Sequence, residues 1–308
     1  MTRSSKSGDN CRHKGKKTFQ IRGIKQAAET KSIPAYTKEL KLTGVRFKFV
    51  RRGKSPERIV GEKEYSRERT GTEPKLTDMQ YKTLTVGNLN SNCYLVKDES
   101  GMGFIVDPGG EPSMIEDEAR AFGLTPLAVL LTHGHFDHTN AAYIFQERGV
   151  PVYIHKDDED KLHSYRSLSL WAGIEQNKIT ADVTLSGKET LRFGALTVKV
   201  IHTPGHSAGG LCFKIDSDGG DRTVPAASRG DNDVVCSEKG LLFTGDTMFK
   251  IDYGRYDFYD GDFKTLKNSI INKLFSLKGD YIVLPGHGEA STLEEERKFN
   301  PILIDSGL

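Results

Sequence analysis

Between Ala128 and Gly288 the chain makes the same move four times: a short apolar run, a turn containing glycine, then histidine or aspartate. The first instance is the densest. Ala128-Val129-Leu130-Leu131 leads into Thr132-His133-Gly134-His135-Phe136-Asp137-His138, with three histidines and an aspartate inside six positions. The others are Val200-Ile201-His202-Thr203-Pro204-Gly205-His206, Leu242-Phe243-Thr244-Gly245-Asp246 and Val283-Leu284-Pro285-Gly286-His287-Gly288. A short apolar run bounded by turn formers reads as a buried strand. Each of these strands therefore ends in a turn that presents ligand-type side chains.

The chemistry of the first cluster follows from its spacing. His133 and His135 stand two apart in extended chain, so their side chains point the same way, and Gly134 keeps the backbone between them slim. Asp137 and His138 begin the next turn and face the same volume from another side. Packing alone does not explain four such groups, because each would need its own partner when buried. Imidazole and carboxylate without thiolate suit Zn, Fe or Mn at a catalytic site. Along the whole chain the candidate ligands are His133, His135, Asp137, His138, His206, Asp246 and His287. They exceed what one four-coordinate ion needs and suit two ions with a bridging carboxylate, as in hydrolytic sites whose metals lie roughly 3.5–4 Å apart. His202 precedes its turn and is expected to be structural or to support a ligand. His155 and His163 lie among charges and are expected at the surface.

The body of the chain begins near Met79. Tyr81–Val86, Asn92–Val96 and Gly103–Val106 read as a meander of antiparallel strands, and Pro112–Phe122 as an amphipathic helix. After the first cluster a helix runs to about Arg148. Val150–Ile154 is a strand and Asp157–Tyr165 is helical. Val183–Leu185, Glu189–Phe193 and Leu196–Ile201 resume strand character. A helix follows Asp262, Tyr281–Leu284 is the last core strand, and Leu293–Lys298 is a short helix. Strands in two groups with helices around each favour two sheets covered by helices over a doubly wound parallel sheet. Trp171 lies in a partly apolar stretch, read either as a loop near the site or as a packing staple. Residues 216–240, rich in Asp, Gly and Ser, read as a long flexible insertion between the strands Leu211–Ile215 and Leu241–Phe243. A calcium loop there is disfavoured, since no terminal bidentate Glu falls in register.

Residues 1–78 differ in kind. They hold 21 Lys/Arg against 9 Asp/Glu, leaving 23 and 33 for the remainder, so a net charge of +2 hides a basic arm on an acidic body. Apart from Val45–Val50, which alternates like a strand, the arm is expected to be disordered. It is read as a solvated tail, a transit segment, an arm for nucleic acid or acidic partners, or an upstream extension of a protein that starts at Met79. The four cysteines form no C-x-x-C pair, and no apolar run reaches 18 residues. With no secretory signal either, a cytoplasmic protein with free thiols is expected, organelle targeting by the arm being the alternative.

The ordered set His133-x-His135-x-Asp137-His138, His206, Asp246 and His287 resembles the metallo-β-lactamase superfamily over residues 79–304. The closest likeness is to glyoxalase II (hydroxyacylglutathione hydrolase) and its short forms. It is carried by Asn92-Cys93-Tyr94, Val106-Asp107-Pro108-Gly109-Gly110, Thr203-Pro204-Gly205-His206-Ser207, Gly245-Asp246-Thr247-Met248-Phe249, Gly254-Arg255 and Pro285-Gly286-His287-Gly288. The resemblance implies an α/β fold, a four-layer αββα sandwich, with metals at one edge of the sheets. It implies one ion on His133, His135 and His206, a second on Asp137, His138 and His287, and Asp246 bridging. The implied reaction is thioester hydrolysis: a hydroxide between two divalent ions, Zn first and Fe or Mn as alternatives, attacks the carbonyl. Asp137 orients the hydroxide, and Arg255 contacts the substrate where the family has Lys. The partner is a small-molecule thioester, glutathione-derived or smaller, with no membrane and no nucleic acid. Asp257 replaces a family Tyr. With 21 residues after His287, the family's C-terminal helical domain has no counterpart, which leaves the thiol part open. Around Gly254-Arg255-Tyr256-Asp257-Phe258 the chain also resembles persulfide dioxygenases, which would place one Fe(II) on His133, His206 and Asp246. A nuclease of the same superfamily ranks last.

Overall fold

The computed structural model describes residues 37–42, 45–50, 79–217, 234–236 and 239–307, in two units that divide after Thr70. In the first unit, β1 (Thr37–Leu42) and β2 (Val45–Val50) pair antiparallel, from Thr37 opposite Val50 to Leu42 opposite Val45. The strand expected at Val45–Val50 is therefore present. The other expectations for residues 1–78, including disorder and targeting, lie outside the described residues.

The second unit holds two mixed sheets. Strands β3 (Gln80–Val86), β4 (Ser91–Lys97), β5 (Met102–Val106), β6 (Thr125–Leu130), β7 (Val152–His155), β8 (Val183–Leu185) and β12 (Val234–Cys236) form the first. Its order is β12-β3-β4-β5-β6-β7-β8: the expected antiparallel meander, then parallel pairing from β5 to β8. The second sheet contains β9 (Thr190–Phe193), β10 (Leu196–His202), β11 (Leu211–Ile215), β13 (Gly240–Gly245), β16 (Tyr281–Pro285) and β17 (Ser291–Thr292), in the order β17-β16-β13-β11-β10-β9. A separate ribbon pairs β14 (Met248–Phe249) with β15 (Asp252–Tyr253).

Period-two alternation divides each strand between two cores. Tyr94, Val96, Phe104, Val106 and Leu130 of the first sheet meet Val200, Phe213, Leu241, Phe243 and Leu284 of the second in one buried cluster. The opposite face of the first sheet, with Cys93, Leu95, Ile105 and Val129, packs on Ile115 and Ala119 of α1 (Pro112–Ala121). Ala142 and Phe145 of α3 (Ala142–Glu147) join the same cluster, beyond the one-turn helix α2 (Phe136–Thr139). On the outer face of the second sheet Cys212, Leu242 and Val283 meet Leu266 of α4 (Phe263–Asn268) and Leu293 of α5 (Leu293–Phe299). The result is the four-layer αββα sandwich.

Several elements depart from the sequence reading. Within 216–240, Val234–Cys236 is a strand that adds to the edge of the first sheet against Gln80–Lys82. Residues 218–233 and 237–238, with the flexibility expected there, lie outside the described residues. Residues 157–165 form short 3₁₀ turns, Glu159–His163 and Tyr165–Ser167, and the helix after Asp262 passes into a π-type turn over Ser269–Leu274. Trp171 is 79% exposed, so it is no packing staple. Among the described residues no helix is long and apolar enough to cross a membrane.

Candidate metal centre

All seven predicted ligands converge where the strands end. β6 delivers His133 and His135, the latter in extended conformation at the N-cap of α2, whose first turn carries Asp137 and His138. The turns after β10, β13 and β16 deliver His206, Asp246 and His287. His133 Nε2 and His206 Nε2 each lie 3.0 Å from His135 Nδ1. On the other side Asp137 Oδ2 lies 3.3 Å from both His138 Nε2 and His287 Nε2. Asp246 stands between, with Oδ1 at 3.4 Å from His138 Nε2 and Oδ2 at 3.6 Å from His206 Nε2 and 3.7 Å from His287 Nε2. His133/His135/His206 and Asp137/His138/His287 each bring their ligand atoms close enough to share an ion.

A layer of supporting groups fixes these rings. His206 Nδ1 lies 2.7 Å from the Arg255 carbonyl oxygen, so it donates there and leaves Nε2 as a lone pair for the centre. His138 Nδ1 meets Asp107 Oδ2 at 3.1 Å. Asp107 also accepts the Thr132 amide at 2.7 Å and hydroxyl at 2.6 Å, and Thr132 Oγ1 lies 3.1 Å from His133 Nδ1. Asp107 holds a left-handed backbone, φ 50°, which is uncommon outside glycine. Ser91 Oγ donates to Asp137 Oδ2 at 3.0 Å. The sequence reading has Asp107 only within the motif Val106-Asp107-Pro108-Gly109-Gly110, with no role at the centre, and gives Ser91 none. The signal for Asp107 was an acid directly after a buried strand, the same signal that marked Asp246.

Burial and charge set the protonation. His133 and His135 are held well below the ordinary imidazole pKa by burial and by neighbouring imidazoles, so both offer lone pairs at neutral pH. For His138 burial acts downward, but Asp137, Asp246 and Asp107 overcome it and raise the pKa. Asp137 is held far below the carboxylate range by His138 and His287 despite its burial. His138 Nε2 and Asp246 Oδ1 are buried without any hydrogen-bond partner. Such atoms are costly to leave bare, and the two lie 3.4 Å apart, where the second set meets Asp246. The lone pairs of His133 and His135, the anionic Asp137 and two orphaned polar atoms make a donor set that fits divalent cations.

Among the described residues the other histidines lie outside the two sets. His202 Nε2 lies 2.9 Å from the Ala208 carbonyl, and its ring stacks on His155 at 4.1 Å. His155 was expected at the surface and is instead buried, because it ends β7 beneath His202. His163 is exposed as expected. Phe258 packs its ring 5.4 Å from His135 and 5.8 Å from His206, and Phe249 lies 6.0 Å from His287. Arg255 lies over Phe258 at 4.5 Å and is gripped by Asp257 through two bonds of 2.9 Å.

This fold with this donor set at the strand ends defines a metal-dependent hydrolase. Residues 86–220 match the family described as the metallo-beta-lactamase superfamily. The chain is 38% identical over 231 residues to an uncharacterized protein of Mycobacterium leprae, covering 70% of this chain and 95% of that one. It is 31% identical to the hydroxyacylglutathione hydrolase GloC of Haemophilus influenzae, covering 73% of this chain and 98% of the relative. Among solved structures, TTHA1623 in a di-iron-bound form aligns with a TM-score of 0.56 and 32% identity, over 71% of this chain and 98% of that one. The chain belongs to the metallo-β-lactamase superfamily.

Proposed function

We propose that the chain is a dinuclear hydrolase of thioesters, similar to hydroxyacylglutathione hydrolases. The observation that carries the reading is Asp246, one carboxylate within 3.4 Å of His138 and 3.6 Å of His206, as a bridging ligand must be. In this reading His133, His135 and His206 hold one ion, and Asp137, His138 and His287 hold the other. Zn is the first choice, with Fe and Mn as alternatives. Bound there, divalent ions supply a Lewis acid for the carbonyl oxygen and lower the pKa of water from 15.7 to about 7. Asp137 stays anionic throughout the working range and accepts a hydrogen bond from the attacking water, while Ser91 fixes which lone pair it offers. Phe258 closes one flank of the histidines against solvent. A thiolate leaves without needing a proton, which suits a site whose imidazoles and carboxylates are all engaged as ligands. The likeness to GloC supports this choice of substrate. Arg255 meets a carboxylate on the thiol part of the substrate, in competition with Asp257.

The test is metal content of anaerobically purified protein, with hydrolysis of S-D-lactoylglutathione on the same sample. The expected result is about two ions per chain, as in two-metal hydrolases, together with turnover. One Fe per chain, no thioester turnover and oxygen uptake on glutathione persulfide would overturn the reading in favour of sulfur oxidation.

A further inference from the structure

Beneath the metal centre lies a charged group that the reaction does not use. Asp158 and Lys161 are wholly buried, an arrangement rare for acids and lysines unless paired. They sit one turn apart where β7 gives way to its 3₁₀ turn, with Lys161 Nζ 2.5 Å from Asp158 Oδ1 and 2.6 Å from Asp260 Oδ2. Asp158 has further partners, all on the two loops that carry His133, His135 and His206. Its Oδ2 accepts the Gly134 amide at 2.9 Å and the Ser207 hydroxyl at 2.8 Å. Its Oδ1 accepts the Gly209 amide at 2.7 Å. Asp260 accepts the Ala208 amide at 3.0 Å, and so ties the loop behind Phe258 to the same place.

The fit is tight. A Cβ on Gly134 would meet Lys161 Cβ at 2.6 Å and the Asp158 carbonyl at 2.8 Å. A Cβ on Gly209 would meet Asp158 Cβ, Cγ and Oδ1 at 2.7 Å. Glycine between the two histidines is therefore required by what lies underneath as well as by the slimness of the turn. The Leu211 amide on the Thr132 carbonyl at 2.7 Å is a further tie between these loops, beside the 3.0 Å approach of His206 Nε2 to His135 Nδ1.

We infer that Asp158, its charge balanced by Lys161, the cation it shares with Asp260, is the positioning residue for the first ligand set. It clamps the His133-Gly134-His135 loop of one sheet to the His206-Ser207-Ala208-Gly209 loop of the other, and so sets the three imidazoles in register before an ion arrives. His287 and Asp137, on the far side of Asp246, are bonded to neither Asp158 nor Lys161. The clamp acts on one set only. This inference rests on the proposed ligand sets and gives them a supporting residue.

The experiment titrates apo-protein with Co(II) and reads ligand-field absorption and stoichiometry, with thermal unfolding of each apo variant alongside. Asp158→Asn keeps the shape but removes the charge and two acceptor positions. Gly209→Ala pushes on Asp158 without touching a ligand. Both are expected to weaken one ion by about 10- to 100-fold, the size found for groups supporting metal ligands. The other ion stays close to wild type, while the apo unfolding temperature falls in both, because Asp158→Asn leaves buried Lys161 with one counter-charge fewer and the Cβ added at Gly209 collides with Asp158. Ser207→Ala removes one bond and keeps the folded state if Asp158→Asn does not fold, and it is expected to shift the same ion in the same direction by less. His287→Ala must show the converse, losing the ion that the clamp variants keep. Equal weakening of both ions, or wild-type affinity in all three clamp variants, overturns the inference. If wild type takes up one ion only, the two-metal reading fails. The clamp is then judged on that ion alone: weakening in Asp158→Asn and Gly209→Ala supports it, and unchanged affinity refutes it.

Discussion

At the scale of single residues, the supporting groups are as informative as the ligands. Asp107 sits at φ 50° with one oxygen on Thr132 and the other shared between Thr132 and His138. Asparagine tolerates that backbone almost as well as aspartate, so Asp107→Asn isolates the loss of the carboxylate charge. It is expected to lower metal affinity or kcat by about 10- to 100-fold with little change in unfolding temperature; a variant with wild-type metal content and turnover would remove Asp107 from the site. Arg255 gives a second prediction. Its guanidinium is taken up by Asp257 in the open, where solvent screening leaves such a pair little net energy. Asp257→Asn frees the cation and is expected to lower KM for S-D-lactoylglutathione by about two- to fivefold, the same energy expressed as binding, at unchanged kcat. Arg255→Ala is expected to raise KM. If KM is the same in both variants, Arg255 does not read the substrate's carboxylate.

At the scale of elements, the legible parts were those that repeat a pattern. Strands with alternating or continuous apolar character were readable nearly to the residue: Val183–Leu185 and Leu211–Ile215 have the bounds expected of them. Ligands at the ends of such strands were readable for the same reason. What escaped depends on tertiary contact. Val234–Cys236 is three residues among turn formers, and only the open edge of β3 makes it a strand. Asp158 sits in the run Lys156-Asp157-Asp158-Glu159-Asp160, where nothing local separates the buried acid from its exposed neighbours. His155 looked exposed by the same reasoning. Turn chemistry was missed too. In the connection from β8 to β9, Glu189 accepts the Ser186, Gly187 and Lys188 amides at 2.8, 2.9 and 2.9 Å and the Ser186 hydroxyl at 2.6 Å. Partial burial acts upward on its pKa, but these donors win and push it down to about 2. A carboxylate depressed on folding adds stability above its ordinary pKa and loses it as pH falls through the folded value. The urea midpoint difference between wild type and Glu189→Gln is therefore expected to be constant above about pH 5, to shrink from about pH 4.5, and to vanish near pH 2. A pH-independent difference would mean that the bonds, and not the charge, hold the turn.

At the scale of the whole molecule, the centre is a seam between the sheets. β6 supplies His133 and His135, and α2, directly after it, supplies Asp137 and His138. The second sheet supplies His206, Asp246 and His287. In the apo-protein this seam concentrates groups at a cost: His133 and His135, whose pKa values burial and neighbouring imidazoles lower, His138, whose pKa the surrounding carboxylates raise against its burial, and two polar atoms without partners. The apolar core between the sheets holds them together regardless, so chelation is expected to leave a folded but less stable protein. An ion that binds only the native state adds about 2.7 kcal/mol at a free concentration 100 times its Kd. For a domain of this size that corresponds to roughly 5–11 °C in Tm. Removing metal with EDTA is therefore expected to lower Tm by at least this amount, and adding back Zn(II) to restore it with a logarithmic dependence on free metal. Because the ligands come from both sheets, the loss should appear in one cooperative transition rather than as fraying of one part. Calorimetry of the chelated and reloaded protein decides it. An unchanged Tm, or a separate low-temperature transition in the chelated sample, would mean that the ligands are held by the fold alone and that the ions contribute chemistry without joining the two sheets.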